Sequence, residues 1–75
     1  MDSSRSLFLF IDELRYNKGY TIFELTEGIV SERTYRRYVH GITKVSQEDV
    51  FKFIERLGMS VVEFYDAYEN FITTK

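Results

Sequence analysis

The sequence predicts an all-α protein, and three observations indicate this class. The 75 residues contain no proline, and no alternation of apolar and polar residues persists for more than a few positions. Apolar residues recur instead with the three- and four-residue spacing of a helix. Serine, threonine and glycine stand where helices commonly begin and end. We therefore expect a single domain of five helices over residues 1–75, with no linker or internal repeat.

The first helix is expected to begin at Ser3 or Ser4 and to run to about Asn17. Lys18 and Gly19 end it, because a cation favours the C-terminal end of the helix dipole and glycine accepts a left-handed backbone. Four apolar residues at i, i+3, i+4 and i+7 predict its buried stripe: Leu7, Phe10, Ile11 and Leu14.

The second helix is expected to be short. Thr21, with Glu24 three residues later, forms a capping box at its start, and Gly28 ends it. Residues 29–30 form the turn that follows. The inner face of the helix is expected to consist of Ile22, Leu25 and Ile29.

The third helix is expected to begin after Ser31 and to end at Gly41, with a loop over residues 42–45 after it. Two tyrosines and a valine have the spacing of an inward face, with the valine at its edge: Tyr35, Tyr38 and Val39.

The last two helices are each expected to begin after a serine. Ser46 with Asp49 caps the fourth helix, Gly58 ends it, and Ser60 with Glu63 forms a capping box for the fifth. The predicted inner residues of the fourth helix are Val50, Phe53, Ile54 and Leu57. The apolar residues that run down the fifth helix are Val61, Phe64, Tyr65, Tyr68, Phe71 and Ile72.

Composition limits the classes of function. A chain this short is near the smallest size that folds without disulfides or metals, so its 44% of hydrophobic residues must supply the core. Cysteine is absent and His40 is the single histidine, so no metal site and no cofactor are expected. The absence of cysteine favours a reducing, cytoplasmic location. The apolar run over residues 7–11 is too short to span a bilayer, and no membrane partner is expected.

The arrangements typical of a catalytic site are missing from the sequence. It has no nucleophile at a plausible spacing from a base, no phosphate-binding glycine loop and no pair of carboxylates suited to acid–base chemistry. A chain of this size also has little room for a cleft. We therefore do not expect an enzyme.

Charge is unevenly distributed along the chain. The net charge of −2 argues against binding of nucleic acid through overall charge alone. The third helix and the loop after it nevertheless carry a cluster of basic side chains, whereas acidic residues predominate after Gln47. A short helix, a tight turn and a basic second helix over residues 21–41 are typical of a DNA-binding helix-turn-helix. We expect the third helix to enter the major groove.

Five segments occur in the order and spacing of a known family: residues 13–21, 24–31, 35–41, 50–58 and 60–64. Together they resemble the Cro/repressor-like (XRE) helix-turn-helix family over about residues 7–72. The turn Leu25-Thr-Glu-Gly-Ile-Val-Ser31 is similar to the leucine–alanine–glutamate–glycine–isoleucine motif of Rgg-type, peptide-responsive regulators, and the aromatic-rich residues 63–68 are similar to their ending. The resemblance implies a compact, five-helix, lambda-repressor-like fold and a role in transcription regulation.

The chain departs from the pattern of that family inside two helices. Thr26 stands where the family usually has a small alanine, so its hydroxyl is expected to bond a backbone carbonyl one turn earlier. Val39 stands where the family has a glutamate that helps to fix the third helix, so packing alone is expected to orient this helix. The loop also lacks the usual proline.

The leading interpretation is a sequence-specific DNA-binding transcriptional regulator, or the DNA-binding domain of one, with double-stranded DNA as its partner. Arg33 and Arg36 are the expected contacts to base edges, with guanine preferred. Arg37, His40 and Lys44 are expected to hold phosphates.

Three further residues complete the predicted interface at the starts of the second and third helices. Thr21 is primarily a helix cap, and its position also lies beside an expected phosphate. Ser31 caps the third helix at the point where that helix meets DNA. Glu32 either stabilises the dipole of the third helix or accepts a hydrogen bond from a cytosine amino group.

Other interpretations remain open at this point. Three arginines on one helix are also typical of an ordinary solvated face. The alternative function is a protein–protein interaction module on the same fold, antirepressor-like or antitoxin-like, which the acidic net charge and the many aromatic residues fit. A further alternative is that the chain is the amino-terminal part of a longer regulator, and only then is an effector peptide expected.

Self-association is also expected. A single small domain buries too little surface on DNA for tight and specific binding, so a homodimer that reads two half-sites is predicted. The apolar run over residues 7–11 covers more than one side of the first helix. We expect Phe8 in that helix, and Val62 and Tyr65 in the fifth, to lie outside the core and to form the contact between copies.

Overall fold

The computed structural model describes residues 3–73, with side chains from residue 6 onward, and its regular structure is entirely α-helical. The helices are α1 (Ser3–Lys18), α2 (Ile22–Thr26), α3 (Glu32–Val39), α4 (Gln47–Arg56) and α5 (Val61–Thr73). The all-α class and the five helices are therefore confirmed. α1 packs against α3 and α5, while α4 packs against α2 and α5. No helix among the described residues is both long enough and apolar enough to cross a membrane.

Side-chain caps begin the helices as predicted. The Thr21 hydroxyl accepts a hydrogen bond from the Glu24 backbone N–H at 3.0 Å, and the Glu24 carboxylate accepts one from the Thr21 N–H at 2.8 Å. The expected cap of α1 by Ser3 or Ser4 lies outside the described side chains. The other confirmed caps are Ser31 before α3, Ser46 before α4, and the reciprocal pair of Ser60 and Glu63 before α5.

A type II β-turn joins α2 to α3. Glu27 has φ −53° and ψ 124°, Gly28 has φ +81°, and the Ile29 N–H donates to the Thr26 carbonyl at 2.8 Å. The left-handed position of such a turn favours glycine, because a Cβ atom would be strained there. Gly28 therefore follows the end of α2 as predicted, but the turn spans residues 26–29 rather than residues 29–30, because Gly28 supplies its left-handed position. The Thr26 hydroxyl also donates to the Ile22 carbonyl at 2.8 Å, which confirms the expected bond one turn earlier.

Phe8 lies at the centre of the core. Its side chain is fully buried, and its ring centroid lies 5.0 Å from that of Tyr35, 5.1 Å from that of Tyr38 and 5.4 Å from that of Phe53. The expectation that Phe8 lies outside the core and contacts a second copy is therefore wrong. α1 packs on two sides, against α3 and α5, so it buries more than one narrow stripe.

The other predicted apolar residues are buried or half-buried, with two exceptions at the ends of α5. Val61 and Ile72 are 45% and 46% exposed. The half-buried residues are Leu7, Leu14, Ile22, Ile29, Val39, Tyr65, Tyr68 and Phe71. The buried hydrophobic residues are Phe8, Phe10, Ile11, Leu25, Tyr35, Tyr38, Val50, Phe53, Ile54, Leu57 and Phe64.

A second aromatic group joins α1 to α5. The Phe10 ring centroid lies 5.4 Å from that of Phe64, 5.7 Å from that of Tyr68 and 4.9 Å from that of Phe71. Tyr65 is half-buried and packs its ring against Phe64 at 5.1 Å, so it lies at the margin of the core rather than outside it. This group covers the side of α1 that faces away from α3.

Candidate nucleic-acid interface

α3 separates an exposed basic face from a buried aromatic face. Tyr35 is fully buried and Tyr38 is 7% exposed, and both point into the core. The predicted basic residues lie on exposed positions of α3, its C-cap and the following loop: Arg33, Arg36, Arg37, His40 and Lys44. We call this set the basic face.

The three arginines of the basic face differ in their contacts. Arg36 Nη2 lies 3.4 Å from Glu32 Oε1, one turn earlier on the same helix. Arg37 Nε donates to the Thr43 hydroxyl at 3.2 Å and so connects α3 to the loop after it. Arg33 has no ion pair or hydrogen bond to the side chains that the structure describes. Because exposed ion pairs contribute about 0–1 kcal/mol, Arg36 can exchange Glu32 for another anion at little cost.

Thr21 and Ser31 are already engaged in capping. The Thr21 N–H is bonded to the Glu24 carboxylate, which places a negative charge beside the start of α2. The Ser31 hydroxyl accepts from the Thr34 N–H at 3.1 Å and donates to the Thr34 hydroxyl at 3.0 Å. A phosphate at the Thr21 amide would therefore have to displace Glu24, so these two residues act first as helix caps.

Two tyrosine hydroxyls hold the buried face of α3. Tyr35 donates to Asp12 Oδ1 of α1 at 2.7 Å, and Tyr38 donates to Asp49 Oδ2 in the first turn of α4 at 3.0 Å. Burial and the bond to Asp12 raise the pKa of Tyr35, and burial and the bond to Asp49 raise the pKa of Tyr38. Directed hydrogen bonds thus orient α3 together with packing, which corrects the expectation that packing alone replaces the family glutamate at Val39.

Arg15 extends the Tyr35 contact to the entry of α2. Its Nε donates to Asp12 Oδ1 at 2.9 Å, and its Nη1 donates to the Tyr20 carbonyl at 2.7 Å. Tyr20 directly precedes Thr21, the N-cap of α2. One connected set of hydrogen bonds therefore reaches α1, the start of α2 and α3. Sequence reasoning missed it, although a buried tyrosine hydroxyl usually finds a polar partner.

Arg56 of α4 holds the opposite end of α2. Its Nη1 lies 2.6 Å from the Glu27 carbonyl oxygen, 3.2 Å from that of Glu24 and 3.3 Å from that of Leu25. Carbonyls at a helix C-terminus lack helical partners and carry the negative end of the dipole, so a guanidinium stabilises them. α2 and the turn that leads to α3 are therefore held at both ends by arginines from other helices.

The polar groups described above do not form a metal site. Within residues 3–73, no group of three or more histidine, cysteine, aspartate or glutamate side chains gathers where it could hold an ion. The side chains of the basic face are exposed, and their positive charge has the sign that attracts anions.

Comparison with known proteins returns no match: no family model, no curated protein and no solved structure is significantly similar to the chain. The resemblance to the Cro/repressor-like family therefore depends on the motifs of the chain itself.

Proposed function

We propose that the chain is a sequence-specific DNA-binding module of a transcriptional regulator of the Cro/repressor-like kind, with α3 in the major groove. The observation that carries the proposal is the exposed basic face of α3, opposite a face that the aromatic core holds in place. A helix with its side chains is about 10–12 Å across, and the major groove is about 12 Å wide. The module is expected to act in the cytoplasm.

The spacing of Arg33 and Arg36 fits the contact of neighbouring base pairs. Residues three apart on a helix are separated by about 4.5 Å along its axis, close to the roughly 3.4 Å step between base pairs. Both side chains are exposed, and a guanidinium matches the O6 and N7 acceptors of guanine. When Arg36 leaves Glu32 to contact a base, the Glu32 carboxylate is free to accept a hydrogen bond from a cytosine amino group.

The other residues of the basic face suit phosphate contacts. Arg37 already connects α3 to the loop through Thr43, so its charge lies where the helix meets the loop. His40 and Lys44 are exposed beyond the last turn of α3. Such contacts set the position of a protein on DNA and carry no sequence information.

A homodimer is part of the proposal. Val62 on α5 is 71% exposed and Leu9 on α1 is 42% exposed, and both lie outside the core. Neither belongs to the basic face, so association through them leaves α3 free. Two modules would read two half-sites about one helical turn apart.

Fluorescence anisotropy with a random duplex at two salt concentrations tests the proposal. The parent chain is expected to bind, with an affinity that falls as salt rises because phosphate contacts release counterions. Arg37→Ala should weaken binding, whereas Lys52→Ala, which removes an exposed charge paired with Glu48 on α4, should not. Equal losses in both variants, or no binding by the parent, would contradict the proposal.

The second candidate function is a protein–protein interaction module on the same fold. The observation that favours it is the exposure of Phe23 on α2 and Ile42 after α3, at 56% and 64%. Large exposed apolar side chains often mark a contact surface. A parent chain that binds no duplex at low salt would favour this candidate.

A further inference from the structure

We propose that Asp12, Arg15 and Tyr35 form a positioning network that sets α3 relative to the start of α2 for recognition of base sequence. This inference rests on the proposed function, because it concerns how precisely the basic face is presented to DNA. None of the three residues belongs to the basic face, so they act through α3 and not by contact with bases.

The connectivity of the hydrogen bonds carries the inference. Asp12 Oδ1 accepts from the Tyr35 hydroxyl at 2.7 Å and from Arg15 Nε at 2.9 Å. Arg15 also reaches the Tyr20 carbonyl at 2.7 Å, immediately before α2. Two helices that are joined only by a short turn along the chain are thus also joined through α1.

Packing alone does not require the Tyr35 hydroxyl. The Tyr35 ring contacts Phe8 at 5.0 Å and Phe53 at 5.9 Å between centroids, and a phenylalanine would keep both contacts. The hydroxyl adds direction, because a hydrogen bond of 2.7 Å to a carboxylate constrains where the helix lies far more than apolar contact does. A buried phenol that donates to a charged group therefore fixes the register and tilt of α3 against α1.

The charges around the network favour a fixed arrangement. Arg15 balances the charge of Asp12, and the two side chains are 15% and 31% exposed, so the pair is partly withdrawn from solvent. Tyr38 and Asp49 form a separate contact on the same buried face of α3, and we expect it to keep the helix in the fold when the network is cut. Loss of the Tyr35 hydroxyl is expected to loosen the position of α3 without releasing it.

The test compares Tyr35→Phe, Arg15→Gln and the double variant with the parent, and uses Tyr16→Phe as the matched control. Tyr16 lies on α1 and is 76% exposed, so Tyr16→Phe removes a tyrosine hydroxyl that does not belong to the network. Each variant is first shown by circular dichroism to be folded at the assay temperature. Anisotropy then gives the affinity for a duplex selected from a random pool and for a random duplex.

The expected result is a loss of affinity for the selected duplex of about 2- to 30-fold in each single variant, the range typical of residues that act on a site through their neighbours. The affinity for the random duplex should change little, because only base contacts demand precise placement. The double variant should lose little more than either single variant, since both cut one network. A merely structural role would not change the ratio of the two affinities in folded protein.

Two outcomes separate the inference from the proposed function. Suppose that the parent prefers its selected duplex, and that the folded single variants keep the parent's ratio of affinities for the selected and random duplexes. The inferred role of the positioning network is then wrong, and the DNA-binding proposal stands. If the parent binds no duplex, the proposed function fails and the inference that rests on it fails as well. Should Tyr35→Phe be partly unfolded at the assay temperature, Arg15→Gln alone decides between these outcomes.

Discussion

Arg36 and Arg37 are adjacent in the sequence but have different expected roles on DNA. Arg36→Ala should cost about 1–3 kcal/mol of affinity for the selected duplex and relax the preference at one base pair, since a bidentate base contact is lost. Arg37→Ala should weaken all duplexes more evenly and make the salt dependence shallower, since a phosphate contact is lost. Anisotropy on matched and mismatched duplexes measures both effects. If the double variant of Arg36→Ala and Arg37→Ala binds the selected duplex with the affinity of the parent, α3 does not make the base contacts.

The Tyr35 hydroxyl should make stability depend on alkaline pH. Burial, and then the bond to Asp12, raise its pKa above that of the unfolded chain. The folded state therefore holds the proton more tightly, and the contribution to stability is complete below the unfolded pKa of about 10 and is lost as pH rises above it. We expect the denaturant midpoint of the parent to fall above about pH 10, with a weaker fall in Tyr35→Phe. Identical profiles for the two proteins would contradict this linkage.

The residues that were predictable from sequence are those whose partners lie nearby in the chain. The Thr21–Glu24 and Ser60–Glu63 pairs each span three residues, and a known local pattern describes them. The Tyr35–Asp12 bond spans 23 residues, and no local pattern predicts which acid a buried tyrosine will reach. The basic side chains of α3 were predicted to lie on its outer side, and the structure places them on exposed positions.

At the scale of the helices, Leu25 is the main anchor of α2. The helix has only five residues, and Leu25 is its one fully buried apolar side chain. Leu25→Ala should cost about 2–5 kcal/mol, which combines lost transfer energy with the cavity left behind. A chemical denaturation curve should show a lower midpoint, and Phe23→Ala, at 56% exposure on the same helix, is the control that should change it little. An unmoved midpoint for Leu25→Ala would mean that α2 does not depend on this contact.

The helices were predictable because each has a spaced apolar face, a serine or threonine precedes each of α2 to α5, and a glycine follows each of α1 to α4. The apolar pattern of a single helix does not show how many other helices pack against it. α1 contacts both α3 and α5, so Phe8 and Phe10 are both buried, where a single stripe would bury only one of them. At the ends of α5 the apolar pattern overestimates burial, because Val61 and Ile72 have too few neighbours to be covered. The arginine bonds that hold α2 from α1 and α4 depend in the same way on tertiary placement.

For the whole molecule, we expect self-association through the exposed apolar part of α5. Light scattering over a tenfold concentration range should show an increase in mean mass for the parent. Val62→Glu should reduce this increase in mean mass, because it would bury a charge in the contact between copies. Val62 is 71% exposed, so the same charge should destabilise the monomer little. Phe51→Glu, at 46% exposure on α4, is the control that should leave the mass unchanged. A parent that stays monomeric throughout, with Val62→Glu unchanged in DNA binding, would contradict the dimer.

The measurement that tests the central claim most directly is a titration of ¹⁵N-labelled protein with the selected duplex, followed by amide chemical shifts. The account predicts that the largest shift changes fall on α3 and on the loop after it, around Arg33, Arg36 and Lys44. Smaller changes are expected near the start of α2. α5 should be affected only where copies meet. Changes concentrated on α4 and α5, with α3 unmoved, would contradict the placement of α3 in the major groove.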